Sequence, residues 1–215
     1  MTPSARRPEG VRVAVFAKAP VPGEVKTRLQ ALLGADGAAA LHAGLVRHAL
    51  STAVEAHVGA VELHCAPDEN HPFFERCAGE FRVRLERQEG KDLGARMGAA
   101  FERTLAEGAS LIVIGADCPA LKTSHLRAAA EALAQHDAVL IPAEDGGYVL
   151  LGLALPIAQL FEGVDWGSPA VMRQTRDRLA AANVTSVELP ALWDVDRPED
   201  YARLRREGLL DEVLS

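Results

Sequence analysis

Four polar segments of the 215-residue sequence carry the side chains that could do chemistry. The first, FAKAPVPGEVKTRL, places Lys18, Lys26 and Arg28 in a loop stiffened by prolines. Cations in such a loop, followed by the N–H groups of a helix start, suit an anion such as a phosphate chain. We therefore predict Lys18, Lys26 and Arg28 to be solvated cations that bind a ligand's phosphates, although a plain surface turn would have the same composition.

The second and third segments each follow an apolar, strand-like run. QEGKDLGARM begins with Gln88, whose amide offers a donor and an acceptor to the edge of a nucleotide base, while Asp92 could cap the following helix. In GADCP, Asp117 directly follows LIVIGA. A strand would hold this carboxylate at the rim of the sheet, where catalytic and metal-binding groups lie in open α/β proteins. Cys118 is a rival nucleophile, but no Cys-His-Asp order surrounds it, which favours a buried thiol.

The fourth segment is a pair of acidic clusters. PAEDGGYVLLGL contains Glu144 and Asp145, and LWDVDRPEDY contains Asp194 and Asp196. Hard cations such as Mg²⁺ bind few protein carboxylates and keep positions for water and phosphate oxygens. These clusters are therefore candidate metal or catalytic groups, although Asp196 could instead cap the helix opened by Pro198.

The elements that must position these groups alternate along the chain. The runs VRVAVFA, AVELHCA, FRVRLE, SLIVIGA and AVLIPA have strand length and are separated by alanine-rich stretches of helical periodicity. This alternation predicts βαβ units around a mainly parallel sheet, and YVLLGLAL predicts an added antiparallel strand. We expect one domain over residues 11–215, preceded by a flexible segment over residues 1–10.

Composition narrows the functional class. The chain is 48% hydrophobic and 25% charged, as in ordinary globular proteins. Its net charge of −7 argues against nucleic acid as a partner. The three cysteines form no C-x-x-C pair, so reduced thiols are expected. No secretory signal and no apolar run of spanning length are apparent, which predicts a cytoplasmic protein without a membrane span.

The segments FAKAPVPGEVKTRL, DLGARM, GADCP, EDGGYVLLGL and DVDRPEDY, in this order, resemble the signature segments of a bacterial family. That family, DUF2064, is described as a domain of unknown function and as nucleotide-diphospho-sugar transferases, including glycosyltransferases of arsenosugar-type gene clusters. The resemblance runs from about Val11 to Leu204. It implies a three-layer α/β fold of the GT-A type with a mainly parallel mixed sheet, similar to that of the sugar-acid cytidylyltransferases.

The resemblance also implies a metal site. In the sugar-acid cytidylyltransferases a loop ending in Ser-Thr-Arg-Leu binds nucleotide phosphates, and KTRL, from Lys26, is similar to it. Those enzymes hold Mg²⁺ between an aspartate after the fourth strand and one in a late Asp-Thr-Pro-Glu-Asp segment. The corresponding residues here are Asp117 and Asp196, which implies that these two bind one Mg²⁺ or Mn²⁺. Asp145 or Asp194 is the alternative second ligand in place of Asp196. Arg197 departs from that segment, which has threonine at this position.

Two bond-breaking reactions fit such a site. Three basic residues in the first loop favour a triphosphate donor, and hence nucleotidyl transfer with release of pyrophosphate. The family resemblance favours a metal-dependent glycosyltransferase that uses a nucleotide-diphospho-sugar donor and an unidentified acceptor. Glu144 or Asp145 would then be the acceptor's general base. We expect glycosyl transfer first, nucleotidyl transfer second, and a non-catalytic nucleotide or sugar-phosphate binder as the remaining alternative.

Overall fold

A computed structural model describes residues 8, 10–157 and 159–214, and strands and helices alternate through them. The strands are β1 (Val11–Lys18), β2 (Gly59–Ala66), β3 (Arg84–Arg87), β4 (Ser110–Gly115), β5 (Ala138–Pro142), β6 (Tyr148–Leu153) and β7 (Ser186–Glu188). The helices are α1 (Gln30–Ala56), α2 (Pro72–Phe81), α3 (Leu93–Ala106), α4 (Thr123–Leu133), α5 (Val171–Ala181), α6 (Pro198–Arg206) and α7 (Leu210–Leu214). Apart from residues 8 and 10, the expected flexible segment 1–10 lies outside the described residues.

The seven strands form one mixed sheet in the order β3-β2-β1-β4-β6-β5-β7. Strand β6 runs antiparallel to both of its neighbours, β4 and β5, and the other pairings are parallel. The central strands are buried on both faces, which explains why they read in the sequence as continuous apolar runs. The predicted mainly parallel mixed sheet is confirmed.

Helices cover both faces of the sheet. Side chains of α1, α2 and α4 pack on one face, in a core that includes Leu50, Phe74 and Leu126. Side chains of α3 and α5 pack on the other face, in a core that includes Phe101 and Met172. The predicted three-layer α/β architecture is therefore also confirmed.

Helix α1 is the longest and the most apolar. It is broken at Gly34, whose φ of 72° and ψ of 170° leave the helical region in a way that glycine tolerates. The segment Thr27–Ala56, which includes a short 3₁₀ turn before α1, is long and apolar enough to cross a membrane by length and composition alone. The segment is not a continuous apolar run, because it contains charged residues such as Asp36 and Arg47. Leu41, Leu45 and Leu50 of this helix are buried in the protein core, and the core helix of a globular domain meets the same criterion.

The sheet order places a crevice beside β1. Its neighbours are β2 on one side and β4 on the other, both parallel to it. The loops that leave β1 and β4 therefore start at the same edge of the sheet. The chain after β1 leads through α1 to β2, whereas the chain after β4 leads through α4 to β5, on the opposite side of β1. Ligands of open α/β sheets bind at such a point, beyond the carboxyl ends of the strands.

Candidate active site

A cavity of about 610 Å³ opens at the carboxyl ends of β1 and β4. We call it the nucleotide cavity, after the ligand that the sequence resemblance implies. Its lining residues include seven that the sequence singled out, namely Lys18, Lys26, Arg28, Gln88, Asp92, Asp117 and Asp196. Glu144, Asp145 and Asp194 line an adjoining cavity of about 280 Å³, which we call the acidic cavity.

Lys26 differs from the solvated loop cation that the sequence predicted. Its side chain is buried, with 4% of its surface exposed. The ammonium Nζ donates a hydrogen bond to the backbone oxygen of Val195 at 2.6 Å and lies 2.8 Å from Oδ1 of Asp117. Lys26 itself has the left-handed backbone conformation, with φ of 47°. The buried carboxylate oxygen and carbonyl need this cation, so Lys26 holds the site together before any ligand arrives.

Asp117 presents one half of its carboxylate to the cavity. Its Oδ1 is buried against Lys26, whereas 45% of the side chain is exposed, so Oδ2 is the oxygen open to a ligand. Burial alone raises the pKa of Asp117, but Lys26 and, next, His42 outweigh it and hold the pKa below its ordinary value. The carboxylate is therefore ionised at neutral pH and available as a ligand for a cation.

His42 was missed by the sequence reasoning. This buried side chain of α1 donates from Nε2 to the backbone oxygen of Lys18 at 3.0 Å, and its Nδ1 lies 3.8 Å from Oδ1 of Asp117. Burial lowers the pKa of His42, more than the nearby carboxylate raises it. The histidines of the sequence showed no metal-like spacing, and only the fold brings His42 to the ends of β1 and β4.

Arg28 and Asp196 form an ion pair where the two cavities meet, and both residues line both cavities. The two side chains are 62% and 40% exposed, so a ligand can reach either group. Asp196 does not cap α6, because the N-cap residue is Arg197. Asp200, in the first turn of α6, accepts the backbone N–H groups of Asp196 and Arg197 at 3.1 and 2.7 Å, so these bonds fix the segment that precedes the helix.

Gln88 keeps only part of the hydrogen-bonding capacity expected of it. Its amide nitrogen donates to the backbone oxygens of His64 at 2.7 Å and Ala17 at 3.2 Å. These bonds fix the loop after β3 to β1 and β2, and they leave the amide oxygen as the group that can face a base. Asp92 caps α3 by accepting the N–H of Ala95 at 2.8 Å, as its alternative role required.

The acidic cavity contains the predicted general bases. Oε2 of Glu144 lies 2.9 Å from NH1 of Arg203, which engages this carboxylate in an ion pair. Oδ1 of Asp145 accepts the N–H of Gly147 at 2.9 Å, which orients the carboxylate without neutralising it. Burial, followed by the charges of Asp145 and Asp117, raises the pKa of Asp194 to about 6.

Cys118 does not have the properties of a nucleophile. The thiol is buried, and burial raises its pKa to about 12. Because the thiolate is the reactive form, this cysteine is unreactive at neutral pH. Cys65 and Cys77 are also buried free thiols.

The residues present fit a divalent cation that completes its coordination with phosphate. Within the described ranges, no group of three or more His, Cys, Asp or Glu residues could hold a metal ion by itself. Asp117 and Asp196 each have one oxygen paired with a cation, Lys26 and Arg28 respectively, and each has a second oxygen. Mg²⁺ commonly takes one or two carboxylates together with substrate phosphates and water, so a two-aspartate site is sufficient.

The fold is similar to that of nucleotide-diphospho-sugar transferases and nucleotidyltransferases. The chain belongs to the DUF2064 family, described as uncharacterized protein conserved in bacteria, whose family model matches residues 49–168. The family that the sequence motifs resembled is thereby confirmed.

Two relatives resemble the chain over most of its length. It is 29% identical to the 3-phospho-D-glycerate guanylyltransferase of Phenylobacterium zucineum over 188 residues, which is 84% of each chain. A solved structure from Desulfovibrio desulfuricans, provisionally described as a nucleotide-diphospho-sugar transferase, is 27% identical with a TM-score of 0.79 and covers 94% of this chain and 97% of its own.

More distant structures support the fold. A nucleotidyl transferase from Methanothermobacter has a TM-score of 0.63 at 17% identity and covers 95% of this chain and 99% of its own. The comparisons support transferase activity. Between the two reactions expected from the sequence, they agree better with nucleotidyl transfer than with the glycosyl transfer that we placed first.

Proposed function

We propose that this chain is a nucleotidyltransferase, which transfers a nucleoside monophosphate from a nucleoside triphosphate to an acceptor and releases pyrophosphate. The observation that supports this proposal best is the composition of the nucleotide cavity. Lys18, Arg28 and Arg96 line it together with the open carboxylate oxygens of Asp117 and Asp196. Cations and a two-carboxylate metal site in one cavity suit a polyphosphate donor.

Asp117 and Asp196 would hold one Mg²⁺ or Mn²⁺. The ion, when bound, would neutralise charge on the donor phosphates and act as a Lewis acid on the oxygens at the reacting phosphorus. Lys26 keeps Asp117 ionised and fixed in position, and the amide oxygen of Gln88 faces the base. The relative's guanylyl transfer makes GTP the first donor to test.

The acidic cavity would receive the acceptor, because it adjoins the nucleotide cavity at Arg28 and Asp196. The acceptor oxygen attacks the α-phosphorus, a new P–O bond forms, and the bond to the pyrophosphate oxygen breaks. For a hydroxyl acceptor, Asp145 takes the proton. Glu144 is the weaker candidate base because Arg203 already neutralises it.

Glycosyl transfer stays as the second candidate, since the relative from Desulfovibrio carries a description of that kind. The same cavities would then hold a nucleotide-diphospho-sugar and its acceptor, with attack at the anomeric carbon. Nucleoside diphosphate, rather than pyrophosphate, is the product that identifies this reaction.

The test is a product assay with purified protein. GTP and the other three nucleoside triphosphates are incubated with Mg²⁺ or Mn²⁺ and with 3-phospho-D-glycerate or a small-molecule extract, and pyrophosphate is measured. Parallel reactions contain nucleotide-diphospho-sugars and are assayed for nucleoside diphosphate. Asp117→Asn and Asp196→Asn should abolish the release of pyrophosphate. Asp177→Asn, on the exposed face of α5, is the matched control and should leave this release unchanged.

If nucleoside diphosphate is released from a nucleotide sugar and no pyrophosphate is released from any triphosphate, nucleotidyl transfer is refuted and glycosyl transfer is supported. Ligand-induced thermal shifts without turnover in either arm would favour a non-catalytic binder.

A further inference from the structure

The cations of the nucleotide cavity fall into two groups. Lys26 and Arg28 are each paired with a carboxylate, Asp117 and Asp196. Among the described residues, neither Lys18 nor Arg96 has an ion-pair partner within 4.0 Å. Arg96, in the first turns of α3, donates from Nε to the backbone oxygen of Gly90 at 3.1 Å. This bond anchors its guanidinium and leaves the two terminal NH₂ groups for a ligand.

Lys18 and Arg96 also line a smaller side cavity. Its volume is about 280 Å³, and it shares Lys18, Glu24, Val25 and Arg96 with the nucleotide cavity. Glu24 is the one carboxylate among its described lining residues, against two cations. The side cavity is thus net positive in a chain whose formal net charge is −7. The acidic cavity, in contrast, shares Arg28 and Asp196 with the nucleotide cavity and contains neither Lys18 nor Arg96.

We propose that the side cavity binds the two terminal phosphates of the triphosphate donor and, after transfer, the pyrophosphate. This inference rests on the nucleotidyl transfer proposed above. A guanidinium binds phosphate oxygens through parallel N–H donors, and an ammonium adds a compact positive charge beside it. In this arrangement the α-phosphate, which is transferred, lies at the end of the nucleotide cavity that contains Asp117 and Asp196. The β- and γ-phosphates are bound by Lys18 and Arg96. When the bond between the α- and β-phosphates breaks, the pyrophosphate that leaves is therefore already bound.

The same arrangement selects the donor class. The terminal phosphates of a nucleoside triphosphate bring several negative charges to Lys18 and Arg96. In a nucleotide-diphospho-sugar, an uncharged sugar ring follows the second phosphate and gains little from two unpaired cations. The positive charge of Lys18 and Arg96 therefore favours a nucleoside triphosphate as the donor. This argument does not depend on which acceptor the protein uses.

The experiment measures binding of inorganic pyrophosphate by isothermal titration in EDTA, where only protein cations can hold it. Lys18→Ala and Arg96→Ala should each weaken binding about tenfold or more, equivalent to about 1.4 kcal/mol. Arg173→Ala, which removes an exposed arginine paired with Asp177 on α5, should change nothing. Pyrophosphate should also compete with the nucleoside triphosphate that gives the largest thermal shift.

A second comparison separates the terminal phosphates from the remainder of the donor. Lys18→Ala and Arg96→Ala should weaken the triphosphate about tenfold and the matching monophosphate less than twofold. Arg96→Gln, which retains an amide donor for Gly90, should show the same selective loss with an unchanged melting temperature. Equal losses for triphosphate and monophosphate, unchanged or undetectable pyrophosphate binding, or pyrophosphate binding that does not compete with the triphosphate would each overturn the proposal.

These outcomes are distinguishable from failure of the proposed reaction. If the variants lose pyrophosphate affinity but the unmodified protein shows no transfer, the pyrophosphate subsite is supported and nucleotidyl transfer is refuted. If the unmodified protein shows transfer but the variants bind pyrophosphate as tightly as it does, nucleotidyl transfer is supported and the subsite is refuted.

Discussion

Replacing Lys26 with methionine tests whether this residue is a structural cation. Methionine keeps the length of the buried stem and removes the ammonium that contacts Val195 and Asp117. Loss of a charge-assisted hydrogen bond costs about 1.5–3 kcal/mol. The ion pair with the half-exposed carboxylate of Asp117 adds at most about 1 kcal/mol. We expect the free energy of unfolding to fall by about 2–4 kcal/mol, or the melting temperature by about 5–15 °C for a domain of this size.

The stability difference between the unmodified protein and Lys26→Met should depend on pH, and the pKa of Asp117 gives the direction of this dependence. In the unmodified protein the pKa of Asp117 is lowered, so the carboxylate contributes stability above its unfolded pKa of about 4, and this contribution is lost as the pH falls through the lower folded value. Without Lys26, the effect of burial, which raises the pKa of Asp117, is opposed mainly by His42, so this pKa rises. The carboxylate then destabilises the variant at pH 7, and protonation relieves it. The gap in melting temperature should therefore be widest near pH 7 and narrow towards pH 4.

The assay is thermal unfolding from pH 4 to pH 8, with Arg28→Met as the matched control. Arg28 and Asp196 are 62% and 40% exposed, so loss of their pair should cost no more than about 1 kcal/mol. Equal shifts for the two variants, or a Lys26→Met deficit that does not narrow at low pH, would refute the reasoning. Lys26 would then be the solvated phosphate ligand that the sequence suggested.

Three further predictions concern other parts of the site. Asp194→Asn should raise the melting temperature near pH 8 and not near pH 4, because a carboxylate whose pKa is raised to about 6 costs stability as the pH rises through that value. Cys118 should react with iodoacetamide at pH 8 only after unfolding in urea, and Cys118→Ala should keep turnover within about twofold, since its thiol pKa is about 12. Gly94→Ala should cost about 1–3 kcal/mol and shift the tryptophan emission, because the new Cβ would clash with the indole ring of Trp166, two of whose carbons would lie 2.7 Å away and whose nitrogen would lie nearer still. Gly98→Ala, whose Cβ would meet an aromatic ring at 3.4 Å, should be tolerated in the same melting and fluorescence measurements.

The fold was predictable because strands buried on both faces have a distinctive pattern. β1 and β4 are continuous apolar runs, and each ends where a polar loop begins. That boundary alone located Lys18 and Asp117 at the same edge of the sheet. The antiparallel strand β6 was also predicted, and in the structure it follows a short turn that allows a hairpin and no crossover.

The state of individual side chains was not predictable in this way. Lys26 is buried because it contacts Val195, which lies 169 positions further along the chain. His42 reaches the site from the middle of a helix whose local sequence shows only an apolar face. Such contacts depend on how distant segments pack, and neither periodicity nor motif spacing encodes them. The sequence therefore predicted which residues lie together at one edge of the sheet more reliably than it predicted their ionisation and solvation.

The antiparallel orientation of β6 has a consequence for how the protein can diversify. Because β6 runs against β5, the turn between them, residues 143–147, lies at the same edge of the sheet as the carboxyl ends of β1 and β4. The acidic cavity is thus built partly from the tip of a hairpin, whereas the nucleotide cavity is built mainly from parallel strands and the loops they anchor. Hairpin tips accept insertions and substitutions at little cost to stability. If the acidic cavity receives the acceptor as proposed, changes in this one short turn would alter the choice of acceptor and leave the residues of the nucleotide cavity in place.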